Sequence, residues 1–353
     1  MDGDRLGIGL IGCGAISQYA HLPAFARARR ARLTALCDRA QDVLQKIGQQ
    51  TGVRRLYADP SQLLADETVD AVLIAVPDAF HVPLAMEALR AGKHVLVEKP
   101  LGTNPAECRE LAQLVKRTSL KLQVGSMKRY DPALAFARDF IRERLGGILS
   151  VGGWYRDTLF RPRMQDALLP PLLTAARASA AAGDPKADKQ NYSLVTHGAH
   201  LFDNLLCFGG KVTAITAKMA HRFDQYSWHG LLEFEQGGVG HFELTVKVNS
   251  DWSEGYVIHG EGGSVEARTF WPFFNRASEV RAFDAKEREW HVPYRVDGNP
   301  YLRQLEAFAE AVLKAEPVHP DVEEGMAVVQ LLEAAARSVA TGSRIAVEPS
   351  EQP

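Results

Sequence analysis

The sequence predicts an α/β chain in two parts: a doubly wound parallel sheet first, then an α+β domain built on a large open, mainly antiparallel sheet. Three observations predict it. Short, continuously apolar runs alternate with helical patterns over the first third, as expected where helices cover both faces of a sheet. A Gly-rich turn, Gly12-Cys13-Gly14, follows the first run and opens a helix. From about residue 127 the pattern changes to successive β-type runs, two pairs of them joined by tight turns at Gly237-Gly238 and Glu261-Gly262-Gly263.

Taken in order, the strand Gly7–Ile11 leads to a helix from Ile16 that Pro23 interrupts, and Arg32–Cys37 leads to a helix over Gln41–Gln50. Ala71–Val76 precedes a helix over Val82–Ala91 with a Gly92 stop, and Lys93–Val97 precedes a helix that opens with an Asn104 cap, Pro105 at N1 and Glu107 at N3. Lys121–Val124 completes this set, whose alternation implies right-handed crossovers. The second part starts with a helix over Pro132–Arg144 and a strand over Ile148–Tyr155. Residues 158–190, rich in Ala, Pro and basic side chains, read as an irregular excursion. A helix from His197 to Cys207 follows, then six β-type runs between Val212 and Phe283, then helices over Tyr301–Ala315 and Val322–Val339. The division expected is 1–126 and 127–353.

Composition narrows the function. The 353 residues carry 24% charged side chains and a formal net charge of −2, which gives no footprint for nucleic acid or an anionic membrane. The four cysteines (Cys13, Cys37, Cys108, Cys207) have no CxxC spacing and read as reduced, mostly buried thiols. The N-terminus does not read as a signal peptide, and no apolar stretch is of membrane-spanning length, so a cytoplasmic enzyme is expected.

Gly12-x-Gly14-x-x-Ser17, with Ala15 and Ile16 opening the helix, is a relaxed dinucleotide fingerprint: the glycines let backbone approach a pyrophosphate, and the helix N-terminus supplies oriented N–H groups. Asp38, at the end of the second strand, would accept hydrogen bonds from both adenosine ribose hydroxyls and favours NAD; Arg39 beside it could cradle a 2′-phosphate, so NADP stays open. A cap on the following helix is the plainer role for Asp38. Val76, Pro77 and His81 lie in the loop expected beside the nicotinamide, although Pro77 and His81 alone would also describe a simple turn and helix start. Glu98-Lys99-Pro100 closes another strand and puts a lysine where open α/β sheets keep their ligands.

With Gly12-Cys13-Gly14-Ala15-Ile16, Pro77-x-x-x-His81 and Glu98-Lys99-Pro100 in this order, the chain resembles the Gfo/Idh/MocA oxidoreductases. Met127-Lys128-Arg129-Tyr130-Asp131-Pro132, His197-Gly198-Ala199-His200-Leu201-Phe202-Asp203 and Tyr301-x-x-Gln304-x-x-Ala307-Phe308 extend the resemblance over nearly the whole chain, the excursion excepted. It implies a Rossmann domain, a second domain whose open sheet often forms the oligomer interface, and hydride transfer between a nicotinamide and a secondary alcohol of a sugar or cyclitol; a homodimer or homotetramer is expected because an uncovered sheet face does not readily stay wet. It also maps the catalytic lysine onto Lys99 and the catalytic histidine onto His200. A histidine suits the base that takes the hydroxyl proton, and a neighbouring lysine stabilises the developing alkoxide. Glu98 would pair with a cation or anchor the turn, and Pro100 would fix it through a cis bond. Arg129 is a cofactor contact or a partner of Asp131.

One departure stands out. Members commonly carry an aspartate one helical turn before the histidine, and this chain has Thr196 there; His197 or Asn191 would substitute. Trp154, Tyr155 and Arg156 lie on one strand with alternating faces, one of which would line the sugar site. Arg156, Arg161, Arg163, Lys186 and Lys189 form a basic group that reads as a solvated loop or, less simply, as a site for an anionic sugar. His197, His200 and Asp203 share a helix face, but three ligands so spaced would strain a metal site and no fourth is signalled, so no metal is expected. Two rival functions remain: redox-neutral glycoside cleavage through transient ring oxidation, and a dinucleotide-gated sugar-binding regulator.

Overall fold

The computed structural model describes residues 5–175, 188–294 and 298–347, which form two compact units. The first holds six strands: β1 (Leu6–Ile11), β2 (Ala31–Cys37), β3 (Arg55–Tyr57), β4 (Ala71–Ile74), β5 (His94–Glu98) and β6 (Leu122–Gly125). All pair in parallel, in the order β3-β2-β1-β4-β5-β6. The order reverses between β1 and β4, and that switch point is where such sheets bind ligands. Helices α1 (Leu22–Arg27), α2 (Gln41–Thr51), α3 (Pro60–Leu64), α4 (His81–Arg90) and α5 (Pro105–Lys116) connect the strands.

Local chemistry explains these boundaries. Asn104 caps α5 by accepting from Ala106 N at 2.8 Å, and Asp59 caps α3 through Ser61 N, with Pro60 at the first helical position. Pro23 does not break the first helix as expected. The turn before it, Ser17–His21, widens to π geometry, with Leu22 N bonded to Ser17 O, and the chain runs on into α1. The strand β3 and helix α3 fall in a stretch for which the sequence predicts no element.

The chain returns to this unit after the second one. Residues 301–329 belong with the first unit, where the division expected from the sequence puts them in the second. They include most of α9 (Pro300–Leu313) and the opening of α10 (Val322–Thr341). Val322, Met326 and Val329 join the core that holds Val97, Leu101 and Val124, and Gly325 allows the approach, since a Cβ there would stand 2.5 Å from Val124.

The second unit is built on β7 (Ile148–Thr158), β8 (Val212–Arg222), β9 (Gln225–Phe234), β10 (Val239–Val248), β11 (Ser253–Gly260), β12 (Gly263–Thr269), β13 (Glu279–Asp284), β14 (Glu289–His291) and β15 (Ile345–Ala346). They form one sheet in the order β14-β13-β12-β11-β7-β10-β9-β8-β15, in which only the central β7–β10 pair is parallel. Helices α6 (Pro132–Phe140), α7 (Arg161–Leu168) and α8 (Lys189–Gly209) belong to this unit, as does the end of α10 from Gln330. The expected excursion thus contains α7, and α8 starts at Lys189 rather than His197, with Asp188 as its cap. Gly198 sits inside α8 because a Cβ would come within 2.9 Å of Leu332 on α10. Among the described residues no helix is long and apolar enough to cross a membrane.

Candidate active site

The first unit presents the Gly turn at the carboxyl edge of its sheet. Gly12 has φ +98°, and a Cβ there would lie 2.2 Å from Ala75 O, so the fold itself demands glycine. Gly14 differs: a Cβ would meet no protein atom within 4 Å. Among the described residues nothing requires glycine there, and the open space in front of the helix start is what an approaching pyrophosphate needs. Ala15 is exposed and Ile16 half-buried at the same helix start. Ser17, fully buried, donates to Gly12 O at 2.6 Å and so closes the turn from behind.

Asp38 does not cap α2, whose N-cap is Ala40 with no side-chain bond. One carboxylate oxygen accepts from Cys13 N at 2.7 Å and the other from Ala40 N at 2.8 Å, tying the Gly turn to the loop after β2. A carboxylate has further lone pairs for ribose hydroxyls. Arg39 is exposed, its guanidinium 6.0 Å from the Phe80 ring centroid. Val76 is half-buried and Pro77 exposed. His81 is buried, its ring nitrogens 2.7 Å from Pro100 O and 2.8 Å from Val76 O, so it braces the loop from within.

Lys99 leaves the end of β5 half-buried, and the Lys99–Pro100 peptide is cis. Glu98 beneath it is 7% exposed, 2.9 Å from His21 Nε2, and accepts from Lys99 N at 3.2 Å. Burial pushes the Glu98 carboxyl up, but the His21 hydrogen bond and the charges of His21, Lys99 and His81 outweigh it and hold the group below the ordinary carboxylate range. The Glu98 side chain is thus committed to His21, a residue no sequence signal marks.

In the second unit, α8 lies on one face of the sheet and brings its histidines against β7. Tyr155 is buried, its ring parallel to that of His200 (2° between planes, centroids 6.3 Å apart), with its hydroxyl 3.3 Å from His197 Nδ1. His197 Nε2 lies 3.8 Å from Asp157, whose other oxygen Arg161 Nε holds at 2.9 Å. Burial raises the Asp157 carboxyl above its ordinary range despite Arg161. Lys128 Nζ stands over the faces of Tyr155 (4.7 Å) and Trp252 (5.2 Å) and pairs with buried Glu254, which also accepts from Tyr256 Oη. Asp157, Lys128, Trp252 and Glu254 were not among the expected residues. Asp157 carries one signal, a charged residue two places after Tyr155 and so on the same face of the strand.

Several expectations separate here. The strand pleat puts Trp154 and Arg156 on the sheet face away from α8: Arg156 pairs bidentately with Glu243 (2.7 and 2.5 Å), and Trp154 Nε1 donates to Ser253 Oγ at 3.1 Å. Only Tyr155 of the three faces the histidines. Arg129 is paired with Asp203 through two 2.8 Å bonds rather than with Asp131, which instead caps α6 through Ala133 N and accepts from Ser278. Asp203 is therefore committed to Arg129. Asn191 lies exposed in the first turn of α8, and Thr196 is half-buried. Lys186 lies outside the described residues.

The two halves match known proteins separately. Residues 6–126 match the family described as "Oxidoreductase family, NAD-binding Rossmann fold", and residues 185–347 match its "C-terminal alpha/beta domain". The chain belongs to the Gfo/Idh/MocA oxidoreductase family. It is 26% identical to the inositol 2-dehydrogenase of Rubrobacter xylanophilus over all of this chain and 96% of that one. It is 24% identical to the D-glucoside 3-dehydrogenase of Escherichia coli over 98% of both. A levoglucosan dehydrogenase in complex with NADH and L-sorbose shares its fold, with a TM-score of 0.82 and 20% identity over 98% of this chain and all of that one. This Gfo/Idh/MocA member is an NAD(P)-dependent oxidoreductase. The open cradle at Gly14 and the acceptor Asp38 fit the dinucleotide, and the Gly12–Ser17 turn with Asp38 would hold it.

Proposed function

We propose that this enzyme oxidises a secondary hydroxyl of an uncharged sugar or cyclitol ring with NAD, and that Lys99 and His200 share the reacting oxygen. The observation that carries the reading is the parallel stack of His200 on Tyr155, which fixes the orientation of an imidazole that stays half-buried rather than sealed in the core. Lys99 supports it from the first unit, half-buried at the end of β5 and next in sequence to the carboxylate of Glu98. Bound nicotinamide would accept the hydride; His200 takes the hydroxyl proton and Lys99 Nζ hydrogen-bonds the oxygen as negative charge builds. Asp38 supports NAD as the preferred cofactor.

A neutral substrate is favoured because four basic side chains of the second unit already have carboxylate partners. Arg129 pairs with Asp203, Arg161 with Asp157, Lys128 with Glu254, and Arg156 with Glu243. The protein is proposed to act in the cytoplasm as a homo-oligomer joined through the sheet face away from α8, where Leu231 and Val239 are 62% and 57% exposed.

The test is NADH absorbance with NAD and a panel of cyclitols, aldoses, glycosides, sugar acids and sugar phosphates. Net NADH with a neutral ring, and none with the acids or phosphates, is expected. Cleavage of a glycoside with no net NADH would replace this reading with redox-neutral chemistry, which Thr196 in place of the usual aspartate favours. Binding of NAD and sugar without any turnover would mean a regulator.

A further inference from the structure

Gln18 and Leu173 lie 155 residues apart and are joined by a closed pair of hydrogen bonds. Leu173 N donates to Gln18 Oε1 at 2.9 Å, and Gln18 Nε2 donates to Leu173 O at 3.0 Å. The second hydrogen of the same amide goes to Cys13 O at 2.8 Å. The carboxamide thus uses both of its donors and its acceptor. Turned over, it would set Nε2 against the Leu173 N–H and Oε1 against two carbonyl oxygens. Glutamate at this position would keep one of the three contacts.

Cys13 is the middle residue of the Gly turn, and its own N–H is held by Asp38 at 2.7 Å. The clasp therefore ties residues 169–175, which belong to the first unit, to the turn that would hold the dinucleotide. These residues carry neither helix nor strand. Pro170 and Pro171 stiffen the approach by fixing φ, and Leu172 and Leu173 are half-buried. The segment falls between the ranges that match the family, 6–126 and 185–347, so the shared fold does not call for it.

We propose that residues 169–175 form a strap beside the dinucleotide site, pinned by Gln18 as a positioning residue, and that the strap opens each time the cofactor enters or leaves. Such a strap slows passage in both directions and leaves the equilibrium almost untouched. A prop under the Gly turn would act differently, since its loss weakens binding. The inference rests on the dinucleotide site and on neither the substrate nor the roles of Lys99 and His200.

The experiment is stopped-flow NADH fluorescence on the full chain, giving association and dissociation rate constants, with hydrogen exchange read at the Leu173 amide. In Gln18→Ala both rate constants are expected to rise by about tenfold, the scale of one or two net hydrogen bonds, with Kd for NADH within about threefold of wild type. The Leu173 amide, protected in wild type, should exchange freely in the variant. Leu173→Pro removes the same N–H from the strap side and leaves the side chains of the turn intact. It should reproduce both rates, and the double variant should be no faster than either single one. Wild-type rates in both single variants would overturn the proposal. So would a weaker Kd with an unchanged association rate, the mark of a prop under the turn, or an unprotected Leu173 amide in wild type.

Discussion

His200 lies flat against Tyr155, with 2° between the ring planes, while the hydroxyl of the same tyrosine reaches His197 at 3.3 Å. One side chain on β7 therefore orients both histidines of α8. Tyr155→Phe keeps the stack and loses the hydroxyl's contact with His197, so kcat is expected to fall by only about fivefold, an effect on the order of 1 kcal/mol. Tyr155→Ala removes the ring, and is expected to cost about 3–5 kcal/mol of stability and to lower kcat further. Steady-state kinetics with urea unfolding on both variants separates the effects, and wild-type kcat in the alanine variant would remove Tyr155 from any positioning role.

Lys99→Ala should lower kcat by roughly 10²- to 10⁴-fold, the range for a group that acts on the proton or the charge of the reacting oxygen. NAD affinity, measured by calorimetry, should stay within about threefold, because the turn at Gly12–Ser17 and Asp38 hold the cofactor.

The two glycines of the turn should respond differently. Gly12→Ala puts a methyl group against Ala75 O at φ +98°, and a loss of about 1–3 kcal/mol in stability is expected. A Cβ at Gly14 meets no protein atom within 4 Å, so in Gly14→Val thermal stability without cofactor should change little while NAD affinity collapses. Equal melting temperatures for wild type and Gly12→Ala would contradict the first expectation; retained NAD affinity in Gly14→Val would contradict the second.

Asp38→Ala leaves Cys13 N and Ala40 N without their acceptor and removes the carboxylate that would repel a 2′-phosphate. NAD binding should weaken and the preference for NAD over NADP should narrow, read from kcat/KM with each cofactor. An unchanged preference would hand the choice to Arg39.

Glu98 sets an acid limit. Its carboxyl is held below the ordinary range in the folded chain, so the unfolded chain binds the proton first as pH falls. The stability it contributes is complete above the unfolded-state value and is lost as pH drops through the lower, folded value. Urea unfolding from roughly pH 6 to pH 3 should show the gap between wild type and Glu98→Gln shrinking toward the acid end. A gap independent of pH would mean that the His21–Glu98 contact carries no charge.

The legibility of this chain follows the range of its interactions. The Gly turn, the continuously apolar strands β4 and β5 and the Asn104 cap are local patterns, and each is present where the sequence puts it. The strand β3 is three residues on a sheet edge, too short for any period to register. The opening of α8 is polar from Lys189 to Ser193, so the sequence starts this helix only at His197. The site divides the same way. Lys99 and His200 sit in recognisable segments, whereas the pairings of Arg129 with Asp203 and Lys128 with Glu254 join positions 74 and 126 residues apart. Arg129 has a nearer candidate in Asp131, but Asp131 is drawn off by the α6 cap and by Ser278.

The late return of the chain to its first unit sets an order of events during synthesis. When Ser126 leaves the ribosome all six parallel strands exist, yet the apolar patch around Val97, Leu101 and Val124 has no cover until Val322, Met326 and Val329 emerge. The nucleotide-binding half is thus the first to begin folding and among the last to finish, with a sticky flank exposed while eight strands of the other sheet, β7 to β14, are being made.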